Sequence, residues 1–193
     1  MAIDLQKINV KFYLTKDAVL SPEDAFRIFS QWIPTTKDEV LIDVADYQHV
    51  PQGPKTVLVG HEANYTLDNS DGRYGLLYGR KLAEQGSNAA RLRAAFAASL
   101  KACQRLEQSE GATAKARFSA SEALVVVNDR LRAANTAATL DGIRADLDAV
   151  LAELYAGAAI RIEREGDDRE RLTVRIQAEG DFDAAGLLSN LAG

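Results

Sequence analysis

Two neighbouring stretches, Glu39-Val40-Leu41-Ile42-Asp43-Val44-Ala45-Asp46-Tyr47-Gln48-His49 and Thr56-Val57-Leu58-Val59-Gly60-His61-Glu62-Ala63-Asn64-Tyr65, decide how this chain folds. A loop, Val50-Pro51-Gln52-Gly53-Pro54, lies between them. An Asp- and Asn-rich turn, Asp68-Asn69-Ser70-Asp71-Gly72, then leads into Arg73–Arg80. Asp-Gly accepts positive φ cheaply, so the turn is a strong one. The spacing predicts a three-strand meander. In the first strand Val40, Ile42 and Val44 point one way and Leu41, Asp43 and Ala45 the other. Both faces are largely apolar, which predicts a central strand.

Working outward, Ile8 to Leu14 alternates, with Ile8, Val10 and Phe12 on one face of a half-buried strand. Ser21-Pro22-Glu23-Asp24 opens a helix: a capping hydroxyl, a proline suited to the first turn, and acids at the positive end of the dipole. Phe26, Phe29, Trp32 and Ile33 form its core face, and Pro34 is expected to end it. Asn88 to Gln108 has the longest helical rhythm, carried by Leu92, Phe96, Ser99, Cys103 and Leu106. Its alanines favour helix and close packing, and Gly111 is expected to stop it.

Lys115 to Phe118 reads as a short strand and Ala123 to Val127 as a stronger one. A helix is expected from about Thr139 to Tyr155, with Leu140, Ile143, Leu147, Val150, Leu151 and Leu154 facing the core and Gly157 ending it. Ile160, Ile162, Leu172, Val174 and Ile176 alternate with charged and polar residues around the turn Gly166-Asp167-Asp168, which reads as a hairpin with one wet face. Asp181 or Asp183 would cap a last short helix. The expected fold class is α+β, a mixed or antiparallel sheet with helices packed on it. Two strand-helix-hairpin units are suggested, around residues 8–65 and 117–178. The expected organisation is a single domain over 1–193, with possible subdomains 1–112 and 113–193.

The chain has 193 residues, a formal charge of −5 and one cysteine. A mildly acidic chain has no electrostatic footprint for phosphate backbones or anionic lipid, so neither nucleic acid nor membrane is an expected partner. Cys103 excludes an internal disulfide and, on an apolar helix face, reads as an inert buried thiol. With no basic-then-apolar leader pattern and no apolar run of about 20 residues, the expectation is a soluble cytoplasmic protein.

Short catalytic and nucleotide-binding motifs are absent. What remains is a constellation on the meander. An aspartate in an apolar strand is costly to bury unless paired, which directs attention to Asp43. In a hairpin register pairing Asp43 with Val59, Leu41 faces His61, and Asp43 and His61 become diagonal neighbours; a one-residue slip would separate them. Asp43, His61, Asp46, His49 and Glu62 are therefore the candidate acid-base residues; the alternative is that Asp43 accepts hydrogen bonds from backbone amides or an arginine and that His61 is a satisfied core residue. Tyr47, Tyr65, Arg80, Asn128, Asp129 and Arg130 are the candidate binding residues. The pair could also supply two ligands of a divalent metal, but two histidines at an unenforced distance do not indicate a metal site, and the cofactor is left open. Two readings result: a binding or assembly protein engaging a protein partner or a second copy of itself, and a small hydrolase-like enzyme using an Asp-His pair.

Overall fold

In the computed structural model, which describes residues 3–109 and 115–192, one eight-stranded antiparallel sheet is covered on one face by four helices. In chain order the elements are β1 (Ile8–Leu14), α1 (Pro22–Thr35), β2 (Leu41–Asp46), β3 (Pro54–Gly60), β4 (Ala63–Asp68), β5 (Gly75–Arg80), α2 (Asn88–Glu107), β6 (Phe118–Val127), α3 (Ala137–Leu154), β7 (Ile160–Glu165), β8 (Leu172–Ala178) and α4 (Ala184–Ala192). The strand order is β2-β3-β4-β5-β1-β6-β8-β7. The first strand is thus the middle one: β1 pairs with β5 along one edge and with β6 along the other. The β1–β6 ladder joins the segments on either side of residues 112 and 113 into one sheet.

The core lies between the sheet and the helices. Ile8, Val10 and Phe12 of β1 meet α2, whose Leu92, Phe96, Ser99, Cys103 and Leu106 are all buried there. The Ser99 hydroxyl donates to the Val10 carbonyl at 3.1 Å, tying the helix to the central strand. Burial pushes the Cys103 thiol well up from its ordinary range, as expected of an inert thiol. The helix starts follow their capping residues: Ser21, Ser87 and Thr136 each accept a backbone N–H three residues on. Asp183 does the same for Gly186 at 2.7 Å. Gly157 closes α3 with φ of +78°. Among the described residues no helix is long and apolar enough to cross a membrane.

Several elements differ from the sequence expectation. The run 56–65 is two strands, because the chain turns at Gly60-His61-Glu62-Ala63; a Cβ on Gly60 would lie 2.5 Å from the Ala63 carbonyl oxygen, so only glycine fits. The meander therefore has four strands. β2 is an edge strand and not a central one, with Val40 65% and Ile42 55% exposed. A register shift between Leu41 and Asp43 puts Leu41 and Val44, three residues apart, on the buried face. In α1 the buried residues are Ala25, Ile28, Phe29 and Trp32; Phe26 is 40% exposed, and the helix runs through Pro34 to Thr35. The two short strands expected near 115–127 are one ten-residue strand, β6, with Lys115 bridging separately to Val19. Gly111 lies outside the described residues.

The helix-free face is closed by charge. Lys11, 1% exposed, donates to Asp68 at 2.7 Å, Asp71 at 2.6 Å and the Arg73 carbonyl at 2.8 Å. Tyr13 beside it donates to Asp71 at 2.7 Å and accepts from Arg175 at 3.1 Å. Arg73 binds Glu122 bidentately at 2.8 and 3.0 Å, and Arg175 joins Glu122 to Glu165. Asp71 sits below the usual carboxylate range: burial raises it, and the Lys11 and Tyr13 hydrogen bonds outweigh that.

Trp32→Ala is expected to lose about 3–5 kcal/mol in denaturant titration, the usual cost of emptying a core aromatic site. Phe26→Ala, from the exposed side of the same helix, should stay within about 0.5 kcal/mol. Equal losses would place both rings in the core.

Candidate functional site

The residues singled out from the sequence fall in four places. Asp43 pairs opposite Val59 as expected, but the bulge sets Leu41 opposite Gly60 and not His61. His61 lies in the β3–β4 turn, where its N–H donates to the Val40 carbonyl at 2.8 Å. Asp43 and His61 are both exposed, and Asp43 accepts the N–H of Val44 at 2.8 Å. No hydrogen bond or ion pair joins the two. Asp46, Tyr47 and His49 cluster at the exposed β2–β3 loop, with Asp46 accepting the Gln48 N–H at 2.8 Å and the Tyr47 and His49 rings 6.3 Å apart. Asn128 and Asp129 form a turn after β6, in which the Asp129 carbonyl accepts from Arg132 and Ala133. Arg130 follows them onto the rim of the helix-free face.

Tyr65, Glu62 and Arg80 converge with residues the sequence reading treated otherwise. α1 packs over β2 and β3, and α2 over β1 and β5. Between them the helix layer parts over β4 and β5. The side of α2 facing this gap carries Ala94, Ala97, Ala98 and Ala102, too small to fill it. The result is a hollow of about 440 Å³, within the usual range for small-ligand sites. Trp32, Tyr65 and Tyr78 form its aromatic wall, with ring centroids 6.3 Å apart for Trp32–Tyr65 and 5.6 Å for Tyr65–Tyr78.

The polar groups are arranged around that wall. Arg80 pairs with Glu62 at 2.7 Å. The Arg105 guanidinium lies 4.3 Å from the Trp32 ring and donates to Thr36 and Thr35 at 2.8 and 3.0 Å, a stacked geometry suited to arginine. Both oxygens of Glu39 accept from the Tyr65 hydroxyl at 3.0 Å. Burial raises the Glu39 carboxyl above its ordinary 4.5; the Tyr65 hydrogen bond opposes this, and neighbouring Asp38 adds to it. Burial likewise raises the Tyr65 phenol, with the Glu39 charge second, and lowers Arg105.

Glu39 opens the stretch that decides the fold, yet nothing in its local sequence distinguishes it. Its environment is made by Trp32, Tyr65 and Arg105, from three separate elements. The signal that could have found the hollow is the run of alanines on α2, which reads as close packing but here leaves space. No family model matches the chain, and no curated protein matches it.

Since the folded chain holds Glu39 above its ordinary value, the ionised carboxylate weighs against folding at neutral pH. That weight lifts as pH falls through the raised value and is gone once pH is below the ordinary 4.5. Glu39→Gln is therefore expected to raise the urea midpoint at pH 7 and to leave it unchanged in acid below 4.5. A lower midpoint at pH 7 would make ionised Glu39 a stabilising group instead.

Proposed function

We propose that this chain acts by binding, and that the helix-side hollow seats a ligand carrying a protonated amine. One observation carries the reading: a half-buried carboxylate, Glu39, whose only hydrogen-bond partner among the described residues is one phenol, stands beside an aromatic wall. An ammonium group offers three donors and is attracted to ring faces as well as to the carboxylate. Asp38 adds a second negative charge at the same end. Arg80 is paired with Glu62, Arg105 keeps its charge while lying on Trp32 and donating to the two threonines, and Lys101 lines the same hollow.

Trp32 is the only tryptophan of the chain, so its fluorescence reports the hollow directly. Titration with phenethylamine is expected to give a saturable change that 3-phenylpropionate does not. Affinity should fall at least tenfold in Glu39→Gln, about the 1.4 kcal/mol of one charged contact, and should weaken as pH drops through the Glu39 value. Equal binding of the carboxylate, or a wholly linear response to the amine, would end the proposal.

The edge strand favours a second reading, assembly with a protein partner or another copy. β7, at the far edge, reads Ile-Arg-Ile-Glu-Arg-Glu, charges of the kind that blunt a sheet edge. β2 instead exposes Ile42, with Val40 just before it. An extended segment could add to β2 through main-chain hydrogen bonds. Sedimentation at rising concentration should show self-association that Ile42→Lys abolishes; a chain monomeric at every concentration would sink the homo-oligomer.

A further inference from the structure

We propose that a second hollow, on the helix-free face, binds a small amphipathic anion: a carboxylate or phosphate carried on a short apolar chain. It is independent of the helix-side hollow and lies on the opposite face of the sheet. Two adjacent cross-strand rows build it. In one, Leu77, Lys11, Leu124 and Arg175 stand side by side across β5, β1, β6 and β8. In the next, Gly79, Asn9, Val126 and Thr173 do the same. The Asn9 amide packs beside Gly79, and Arg130 from the segment after β6 with Arg169, Glu170 and Arg171 from between β7 and β8 complete the lining. The space left is about 450 Å³.

The floor of this space is apolar, made of Leu77, Leu124 and Val126. One wall is the locked ion network: Lys11 is spent on Asp68 and Asp71, and Glu165 on Arg175. In that wall every charged group has an ion-pair partner, with one ammonium shared by two aspartates. The rim differs. Among the described residues, Arg105, Arg117, Arg130, Arg169 and Arg171 are the arginines with no carboxylate within 4.0 Å. Three of these five, Arg130, Arg169 and Arg171, line this one hollow. Of the four carboxylates that line the hollow, Asp68, Asp71 and Glu165 are ion-paired, and Glu170 accepts the Asp167 N–H at 3.3 Å. Asn9, 7% exposed, faces the same space with its amide in no hydrogen bond among the described residues.

Forked guanidinium donors match the paired oxygens of a carboxylate or phosphate. An apolar floor beneath them excludes a fully hydrated anion as the preferred ligand, because its burial area would go unused. Head and body together define the ligand: an anionic end among the arginines, within reach of Asn9, and a short hydrocarbon on Leu77, Leu124 and Val126.

Calorimetry on the full chain with octanoate, octyl phosphate, 1-octanol and inorganic phosphate tests this. Octanoate or octyl phosphate is expected to bind, the tighter of the two naming the head group. Octanol and inorganic phosphate should each bind at least tenfold more weakly. Arg130→Ala combined with Arg171→Ala, both exposed and outside the core, should weaken the anion at least tenfold without moving the thermal midpoint. Glu39→Gln should leave it unchanged, which separates this site from the amine hollow. Amide shifts in NMR should fall on Asn9, Leu124 and Thr173. Octanol binding as tightly as octanoate, an arginine double variant that binds normally, or no heat with either anion would each overturn the proposal.

Discussion

Strand β1 is hydrogen-bonded along both edges, and the rest of the molecule is placed by that fact. Its residues alternate between two interiors of different kinds. Val10 and Phe12 face the helices and an apolar core, while Asn9, Lys11 and Tyr13 face the other way into a polar one. A half-buried strand ordinarily presents its polar residues to water. Here the turn after β4 folds over them, so that Lys11 is as buried as Phe12. Burying an ammonium is unfavourable unless it is paired and its donors are used. Three acceptors, from Asp68 at the end of β4 and from Asp71 and the Arg73 carbonyl in the turn after it, satisfy it. The charge and the turn therefore hold each other, and both depend on β1 being central.

The two faces of the sheet consequently offer two chemistries. On the helix side, space arises because α1 and α2 do not meet and the alanines of α2 leave the gap open; aromatic rings and a desolvated carboxylate line it. On the helix-free side, unpaired arginines stand at the rim of a hollow floored by Leu77, Leu124 and Val126. Charges of both signs line each hollow; what differs is an aromatic wall beside a desolvated carboxylate in one and three arginines without ion-pair partners in the other.

Much of the fold was legible in local patterns. Ser21-Pro22, the long rhythm of 88–108, and the alternation in 160–178 each led to elements close to their expected bounds, because capping, helical periodicity and strand alternation are local properties. The errors were also local in origin. Gly60 in an apolar run was passed over, although a glycine inside a strand pattern often marks a break or close backbone approach. The bulge at β2 changed the register by one residue, which moved Leu41 away from His61 and left Ile42 in solvent. An alternation of period two cannot survive such an insertion.

The candidate sites divide in the same way. Tyr65 and Arg80, named as binding candidates, and Glu62, named with the acid-base candidates, do meet in one hollow; Asp43 and His61, singled out by an assumed register, do not touch. The amino-acid sequence by itself determined the elements, their caps and turns, and the α+β class, since these follow from backbone preferences and from the spacing of apolar residues. Only the tertiary structure decided which strand was central, that Lys11 would be buried, and that Glu39 would be desolvated beside Trp32 and Arg105. Those outcomes depend on which distant strands become neighbours, and a side chain's charge state and exposure are set by those neighbours and not by its own place in the chain.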